Sequence, residues 1–318
     1  MRVKMYTAIR PDTEISFTEE GLKLTNEVRS LLIRNVTEND YKVISELVAG
    51  IDDQKYNSLS QDNKRITELI SIINDHHFLY RMKNRSLDRE NRTLGYWAAK
   101  GLDPYKADRK VTSSKILILG MGGTGSVIFQ HLLAAGVKRI TIVDSDSVEL
   151  SNLNRQFIYR KNDVGTPKVM AAERYAREYY GDDLEINNLQ KTIRSVEDVE
   201  DIIGNESSFD LAAICMDHPT GTITDICQKA LLSKKIPCIS GGVGIRKGFY
   251  GPIICSKQVY KEDLYDRQHG TLYSFGPTNT VIGALMAQEM LEYVAGLDNH
   301  ATTFNMNFER YTLVAAKE

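Results

Sequence analysis

A strand, a glycine-rich turn and a helix follow one another directly near the middle of the chain, and no other feature constrains the fold as much. The run Ile116–Leu119 is apolar and rich in β-branched residues, as in a buried parallel strand, and apolar residues recur with helical spacing over Val127–Ala135. Between them, Gly120, Gly122 and Gly125 have the G-x-G-x-x-G spacing that lets backbone approach a phosphate. The pattern predicts an α/β fold with a nucleotide site at the turn.

A second buried strand extends from Arg139 to Val143 and ends on Asp144, about twenty residues past the glycines. A carboxylate at this position can accept hydrogen bonds from ribose hydroxyls. The glycine spacing also occurs in NAD- and FAD-binding proteins and in tight turns. An NAD-binding dehydrogenase or a non-catalytic binding module needs only these features, so both alternatives stay open at this point.

Two cations and a further carboxylate follow this unit. Arg155 lies in the segment Ser151–Gln156, and Lys168 ends the segment Asp163–Lys168. Two cations beside a glycine turn suit a triphosphate better than a pyrophosphate diester that backbone already holds. Farther on, an apolar strand from Phe209 ends in Asp217, at the carboxyl end where open α/β sheets place their ligands. Asp217 either binds ligand or caps the next helix.

As a set, these motifs resemble the adenylating domain of ubiquitin-activating enzymes and of the bacterial ThiF and MoeB proteins, which activate a peptide C-terminal carboxylate as an acyl-adenylate. The resemblance covers roughly Arg89 to the C-terminus and implies a Rossmann-like ATP-binding adenylation domain over residues 111–318. It implies ATP as cofactor, and Mg²⁺ held by Asp217. It also implies the nucleotide-binding residues Gly120, Gly122, Gly123, Gly125, Asp144, Asn152, Arg155 and Lys168.

The polar stretch 87–110 is predicted to be a linker that carries an arginine finger. In the resembled family, the second arginine of an R-x-x-R pair crosses a dimer interface onto the ATP phosphates. Arg89 and Arg92 have this spacing, although Glu90 replaces the usual aromatic residue. The resemblance therefore implies a homodimer in which Arg92 acts together with Arg155, Lys168 and Asp217 in catalysis.

Residues 1–86 are predicted to form a separate small module. The segments Glu14–Phe17 and Leu22–Thr25 indicate a hairpin, and two amphipathic helices are expected over Asn39–Ala49 and Asp62–Asn74, followed by an extended piece at residues 78–80. Thr37 and Asp40 have the spacing of a capping box. The outline resembles the winged-helix domain that binds the leader segment of a precursor peptide by strand addition. A dimerisation or packing extension is the alternative.

Composition excludes several classes of partner. The formal net charge is −2, with 40 Lys and Arg against 42 Asp and Glu, so no nucleic-acid partner is expected. The N-terminus has no apolar segment of signal length, and no apolar run would span a membrane, which predicts a cytoplasmic protein. The four cysteines form no C-x-x-C pair, so neither disulfides nor zinc are expected.

The C-terminal third is expected to contain a strand over Lys235–Ser240, a flexible turn over Gly241–Gly244 and a long helix over Val281–Ala295. Cys255 is interpreted as a core thiol, which disfavours transfer of the acyl group to a cysteine. Arg267 and His269 lie in a polar loop and are interpreted as solvent-exposed, with contact to the substrate as the alternative.

The combination of an adenylating domain with a small N-terminal module, and without relay or zinc cysteines, resembles the branch of the family that matures ribosomally made peptide antibiotics. The resemblance implies ATP-dependent activation of a carboxylate on a precursor peptide, followed by cyclisation with loss of water. Two alternatives remain: joining of AMP to the peptide, as in microcin C maturation, and adenylation of the C-terminus of a sulfur-carrier protein.

Overall fold

The computed structural model describes residues 4–83, 89–204, 209–256, 273–298 and 300–316. The chain divides into two compact units, Met1–Asp108 and Arg109–Glu318. The first unit therefore includes most of the stretch that was expected to be a linker. The division into a module 1–86, a linker 87–110 and a domain 111–318 stays a prediction.

The first unit combines short strands with amphipathic helices. Its elements are β1 (Tyr6–Ile9), β2 (Glu14–Thr18), β3 (Gly21–Thr25), β4 (Ser30–Ile33), α1 (Glu38–Ala49), β5 (Ile51–Asp52), α2 (Asp53–Asp62), α3 (Lys64–Asp75), β6 (Leu79–Met82) and α4 (Arg89–Ala99). They include two antiparallel sheets of three strands, in the orders β5-β1-β6 and β2-β3-β4. The predicted hairpin and both predicted helices are confirmed, whereas β1, β4 and α2 were not predicted.

The start of α1 has the predicted capping box. The Thr37 side chain accepts a hydrogen bond from the Asp40 backbone N–H, and Asp40 Oδ2 accepts one from the Thr37 backbone N–H at 2.7 Å. Arg65 of α3 donates to the same carboxylate at 2.6 Å. Burial raises the pKa of Asp40, but the hydrogen bonds from Arg65 and Thr37 outweigh this and lower it overall. The ion pair therefore joins α1 to α3 above the shared apolar core.

The second unit contains one large sheet flanked by helices. Its elements, with α5 leading into it, are α5 (Pro104–Ser113), β7 (Lys115–Leu119), α6 (Gly123–Ala134), β8 (Arg139–Val143), α7 (Lys168–Tyr180), β9 (Glu185–Leu189), α8 (Val196–Ile203), β10 (Leu211–Ile214), α9 (Ile223–Ser233), β11 (Cys238–Val243), β12 (Lys247–Tyr250), α10 (Gly276–Ala295), β13 (Phe304–Asn307) and β14 (Thr312–Ala315). The sheet order is β14-β13-β12-β11-β10-β7-β8-β9.

The five strands from β11 to β9 are parallel, and the three strands from β12 to β14 extend the sheet in antiparallel fashion. From β7 the chain adds β8 and β9 on one side and β10 and β11 on the other. The strand order therefore reverses between β7 and β10, which is where doubly wound sheets bind their ligands. This arrangement confirms the predicted α/β, Rossmann-like fold.

Two local expectations for this unit are wrong. The segment expected to be a flexible turn at Gly241 and Gly242 lies in β11, where both residues pair with β12. A β-carbon at Gly241 would lie 2.6 Å from Met286 Sδ of α10. Gly241 therefore allows close approach of α10, and Gly242 leaves room for the Phe249 ring of β12. Cys255 is exposed and not in the core, since it follows the last bridge of this edge, between Cys238 and Ile254.

Within the described ranges, no helix is both long enough and apolar enough to span a bilayer.

Candidate active site

The glycine turn joins β7 to α6 and lies between the ends of two neighbouring strands. Gly120 has φ +97°, and a β-carbon there would lie 2.7 Å from the Cys215 carbonyl oxygen, just past β10. A β-carbon at Gly125 would collide with the Gly120 carbonyl oxygen. These two glycines therefore allow the turn and the packing of α6 against it, which are the reasons that the motif requires them.

The other two glycines of the turn differ in their surroundings. Gly122 is the N-cap of α6 and has no side chain to cap the helix. The nearest atom to a β-carbon built at Gly122 would be Gln156 Nε2, at 3.9 Å. This open helix N-terminus is a favourable site for an anion. At Gly123, the space of a β-carbon is taken by Asn279 Oδ1 of α10. Gly123 therefore has a packing contact, and its predicted contact with nucleotide stays a prediction.

Asp144 follows β8 and is held rigidly. Its Oδ2 accepts a hydrogen bond from the Met121 backbone N–H at 2.7 Å, and its Oδ1 accepts one from the Asp146 backbone N–H at 2.8 Å. Burial raises the pKa of Asp144, against the opposing effects of Lys168 and of these two N–H groups. The carboxylate is thus oriented at the glycine turn, and its predicted contact with ribose stays a prediction.

Lys168 begins α7 and lies beside this carboxylate. Its Nζ is 2.7 Å from Asp146 Oδ2 and 4.0 Å from Asp144 Oδ2, and its side chain is only 7% exposed. The structure therefore brings Lys168 and Asp144 together, as the sequence pattern predicted. Asp146 was not predicted to belong to the site, although its position two residues after Asp144 could have indicated it.

Asn152 and Arg155 lie in the turn between β8 and α7. Asn152 is buried, and its Oδ1 accepts a hydrogen bond from the Glu149 backbone N–H at 3.0 Å. Arg155 Nη1 donates to the Ser151 carbonyl at 3.0 Å and to Asn154 Oδ1 at 2.9 Å. Asn152 therefore shapes this turn, and Arg155 is half-buried and held by local contacts. Their predicted contacts with nucleotide stay predictions.

Gln156 is a buried residue of the same turn that sequence analysis did not single out. Its Oε1 finds no hydrogen-bond donor among the described residues, while its Nε2 faces Gly122. A buried amide oxygen without a partner is unusual in folded proteins and indicates a place where a ligand or water completes the site.

Asp217 is the third residue of the loop that leaves β10. It is exposed, and none of the described residues forms a hydrogen bond or an ion pair with it. The next helix, α9, begins at Ile223 with Thr222 as its N-cap, so Asp217 does not cap it. In the described part of the chain, no cluster of three or more His, Cys, Asp or Glu side chains could hold a metal ion. One exposed carboxylate nevertheless fits Mg²⁺, which takes most of its other ligands from phosphate and water.

Arg92 belongs to the first unit, where it is exposed on α4. Its predicted role as an arginine finger stays a prediction. Arg267 and His269 lie outside the described residues.

Comparison with known proteins assigns this chain to a family. The ThiF family model matches residues 97–316. This chain belongs to the ThiF family. The match includes the whole of the large sheet, the glycine turn and the three charged positions at Asp144, Lys168 and Asp217.

Curated relatives of this ThiF-family chain carry names of adenylyltransferases. The adenylyltransferase and sulfurtransferase UBA4 of Lodderomyces elongisporus is 30% identical over 235 residues, which is 66% of this chain and 47% of the relative. The sulfur carrier protein adenylyltransferase of Thermus thermophilus is 35% identical over 89 residues, 24% of this chain and 33% of that protein. The chain thus spans less than half the length of these relatives.

Two solved structures share the fold of the ThiF-family chain over nearly its full length. The crystal structure of Escherichia coli MccB with ATP has a TM-score of 0.80 at 16% identity, and the match covers 98% of this chain and 96% of MccB. The crystal structure of PaaA has a TM-score of 0.75 at 19% identity and covers 96% of this chain and 98% of PaaA. The similarity in fold therefore extends beyond the ThiF match into the N-terminal unit.

Proposed function

We propose that this protein uses ATP to adenylate a carboxylate, and that the substrate is a ribosomally made precursor peptide. The proposed adenylation rests on one observation. The open N-terminus of α6 lies beside Lys168 and Asp144, at the point where the strand order of a ThiF-family sheet reverses. Family membership and relatives named adenylyltransferases support the same reaction. The need for ATP suits a cytoplasmic enzyme.

The reaction forms a bond between a carboxylate oxygen and the α-phosphorus of ATP, and it breaks the bond from that phosphorus to the pyrophosphate oxygen. Two anions must approach each other, so the site has to offset phosphate charge and hold the reactants in line. The backbone N–H groups at the start of α6, together with Lys168 and Arg155, would bind the phosphates. No side-chain base is needed, because the attacking carboxylate is ionised at neutral pH.

Asp217 would hold Mg²⁺, which offsets phosphate charge when it is bound. Its exposure and its position after β10, the neighbour of β7, support this role. Arg92 would add a further positive charge from the partner subunit of a homodimer.

A peptide substrate is supported by the extent of the structural similarity. MccB has been solved in complex with N-formylated MccA, and that structure matches 98% of this chain at a TM-score of 0.80. The first unit, which lies mostly ahead of the ThiF match, would bind the leader segment by strand addition to a sheet edge. An amine or hydroxyl of the peptide would then attack the acyl-adenylate and release AMP, so that the peptide cyclises with net loss of water.

Two alternatives share the adenylation step. The relative named a sulfur carrier protein adenylyltransferase favours a carrier-protein C-terminus as substrate. The similarity to MccB, a microcin C7 biosynthetic enzyme, favours retention of AMP on the peptide as a product.

The test is mass spectrometry of candidate substrates after incubation with the purified full chain, ATP and Mg²⁺. The candidates are short peptides encoded beside the gene and a sulfur-carrier protein. Loss of water from a peptide is expected, whereas gain of AMP by the peptide, or adenylation of the carrier alone, would establish one of the alternatives.

Exchange of labelled pyrophosphate into ATP tests adenylation itself. It should depend on the substrate, fall about 10²–10³-fold in Asp217→Ala, and persist in Asp225→Ala, a matched exposed aspartate in the first turn of α9. Exchange that is equal in the wild type and in Asp217→Ala would contradict the assignment of Asp217.

A further inference from the structure

Lys168 is a nearly buried cation that faces two carboxylates. Its Nζ lies 2.7 Å from Asp146 Oδ2 and 4.0 Å from Asp144 Oδ2. Two carboxylates and one ammonium group leave one net negative charge where the proposed function requires a triphosphate to bind. A polyphosphate that binds here therefore has to compete with a carboxylate that is already paired with Lys168.

The two carboxylates differ in their other contacts. Both oxygens of Asp144 accept backbone N–H groups, so this carboxylate is fixed whether or not Lys168 is present. The Asp146 side chain is different, because it is 65% exposed. Among the described residues, its carboxylate forms an ion pair with Lys168 alone. The Asp146 side chain is thus the partner that can leave.

The backbone of Asp146 is held independently of its side chain. Its N–H donates to Asp144 Oδ1 at 2.8 Å, and its carbonyl accepts a hydrogen bond from the Lys168 backbone N–H at 2.9 Å. Ser147 forms a β-bridge with Pro167 next to this contact. Rotation or replacement of the Asp146 side chain therefore leaves the loop and the position of Lys168 in place.

We propose that Asp146 is a built-in competitor for Lys168, which balances the lysine charge when no nucleotide is bound and which the ATP phosphates displace. A buried ammonium group without a nearby carboxylate is strongly unfavourable, which explains why Lys168 is paired with Asp146. The exchange also sets specificity, since only a ligand that brings negative charge to Lys168 can displace Asp146. This inference rests on the proposed use of ATP and makes Asp146 a specificity-determining residue.

The test compares nucleotide binding by the full chain with the variants Asp146→Asn and Asp146→Ala. Titration calorimetry without peptide substrate gives the Kd for ATP and for adenosine, which has no phosphate. Both variants should bind ATP about three- to tenfold more tightly than the wild type, as expected when a partly exposed ion pair no longer competes. Adenosine should bind equally well to all three proteins.

Asp182→Asn is the matched control, because it removes the same charge from an exposed position ahead of β9. Its Kd for ATP should equal that of the wild type. Thermal unfolding of each variant shows whether the fold is intact, and the alanine variant provides a second measurement if the asparagine variant does not fold.

A double-mutant cycle with Lys168→Met tests the mechanism. Lys168→Met should weaken ATP binding, and Asp146→Asn should bring no gain in that background. An unchanged or higher Kd in both Asp146 variants, or a gain that persists without Lys168, would overturn the inference while leaving the proposed function intact. A wild-type protein that binds no ATP would instead overturn the proposed function, and this inference with it.

Discussion

The ends of β8 and β10 each place an aspartate at the same edge of the sheet, but the two carboxylates lie in opposite environments. Asp144, after β8, is buried and accepts two backbone hydrogen bonds. Asp217, three residues past β10, is exposed and has no hydrogen-bond partner among the described residues. Gly120 lies between these two strand ends, bonded through its N–H to Val143 and packed against Cys215.

The difference indicates that the two carboxylates at this edge of the sheet suit different kinds of ligand. A carboxylate whose oxygens are already fixed is oriented before any ligand arrives, which suits recognition of a neutral hydroxyl group. A hydrated, unpaired carboxylate retains free lone pairs and suits a cation that arrives with its own water and phosphate ligands. Asp144 should therefore contribute to folding as well as binding, whereas Asp217 should contribute to turnover alone.

Asp217→Ala should have the largest effect and provides the sharpest test of this division. The rate of adenylation should fall about 10²–10³-fold, because the proposed Mg²⁺ would lose its carboxylate ligand and would no longer offset the phosphate charge. The melting temperature should stay unchanged, since the side chain is exposed. Pyrophosphate exchange and thermal unfolding measure the two effects, and a large loss of stability would contradict the proposed separation of roles.

Gly120→Ala should disrupt the junction between the two strand ends. We expect the free energy of unfolding to fall by about 3 kcal/mol, because alanine is strained at φ +97° and its β-carbon would press on Cys215. Gly165→Ala is the control, since Gly165 has φ +89° but no atom within 4 Å of a β-carbon. It should lose only about 1 kcal/mol in urea denaturation, and equal losses would mean that contact with Cys215 is unimportant.

Asp144→Asn should lower the free energy of unfolding by about 2 kcal/mol. An amide has one acceptor oxygen, so either the Met121 or the Asp146 N–H loses its partner in a buried place. Asp217→Asn should change stability by less than about 0.5 kcal/mol. Denaturant titrations of the pair decide whether the contrast between the two carboxylates holds, and equal stabilities would refute it.

The smallest expected effect is a pH dependence of opposite sign at two buried aspartates. Burial raises the pKa of Asp144 above its unfolded value, so its favourable contribution is greatest at low pH and is lost as pH rises through the raised pKa. For Asp40, burial raises the pKa but Arg65 and Thr37 lower it overall, so its contribution is present at neutral pH and lost on acidification.

The stability difference between wild type and Asp144→Asn should therefore shrink as pH rises above about 4, the unfolded pKa of an aspartate. The difference between wild type and Asp40→Asn should instead grow as pH rises toward about 4 from below, because the lowered pKa of Asp40 places its titration below the unfolded value. Each slope should stay below about 1.4 kcal/mol per pH unit. Urea denaturation at several pH values measures both, and slopes of the same sign would contradict the assignment.

Much of this site could be predicted, because its signals are local in sequence. The glycine spacing, the apolar strands and the acid at each strand end are properties of neighbouring residues. They indicated β7, β8 and the edge at which Asp144 and Asp217 lie. They could not indicate that Gly123 faces Asn279, since those residues are far apart in the chain and meet only where α10 packs on α6.

The sequence by itself determined the strand, glycine turn and helix at the centre of the fold and the candidate nucleotide-binding residues, because periodicity and turn chemistry operate over a few residues. Only the tertiary structure decided which carboxylate is buried, which lysine is already paired and which glycines serve packing. Asp146 forms an ion pair with Lys168, which lies twenty-two residues later in the chain. Gly241 of β11 contacts Met286 where α10 packs against the sheet. The burial and pairing of a side chain depend on which distant residues the whole fold places around it, and no stretch of neighbouring residues contains that information.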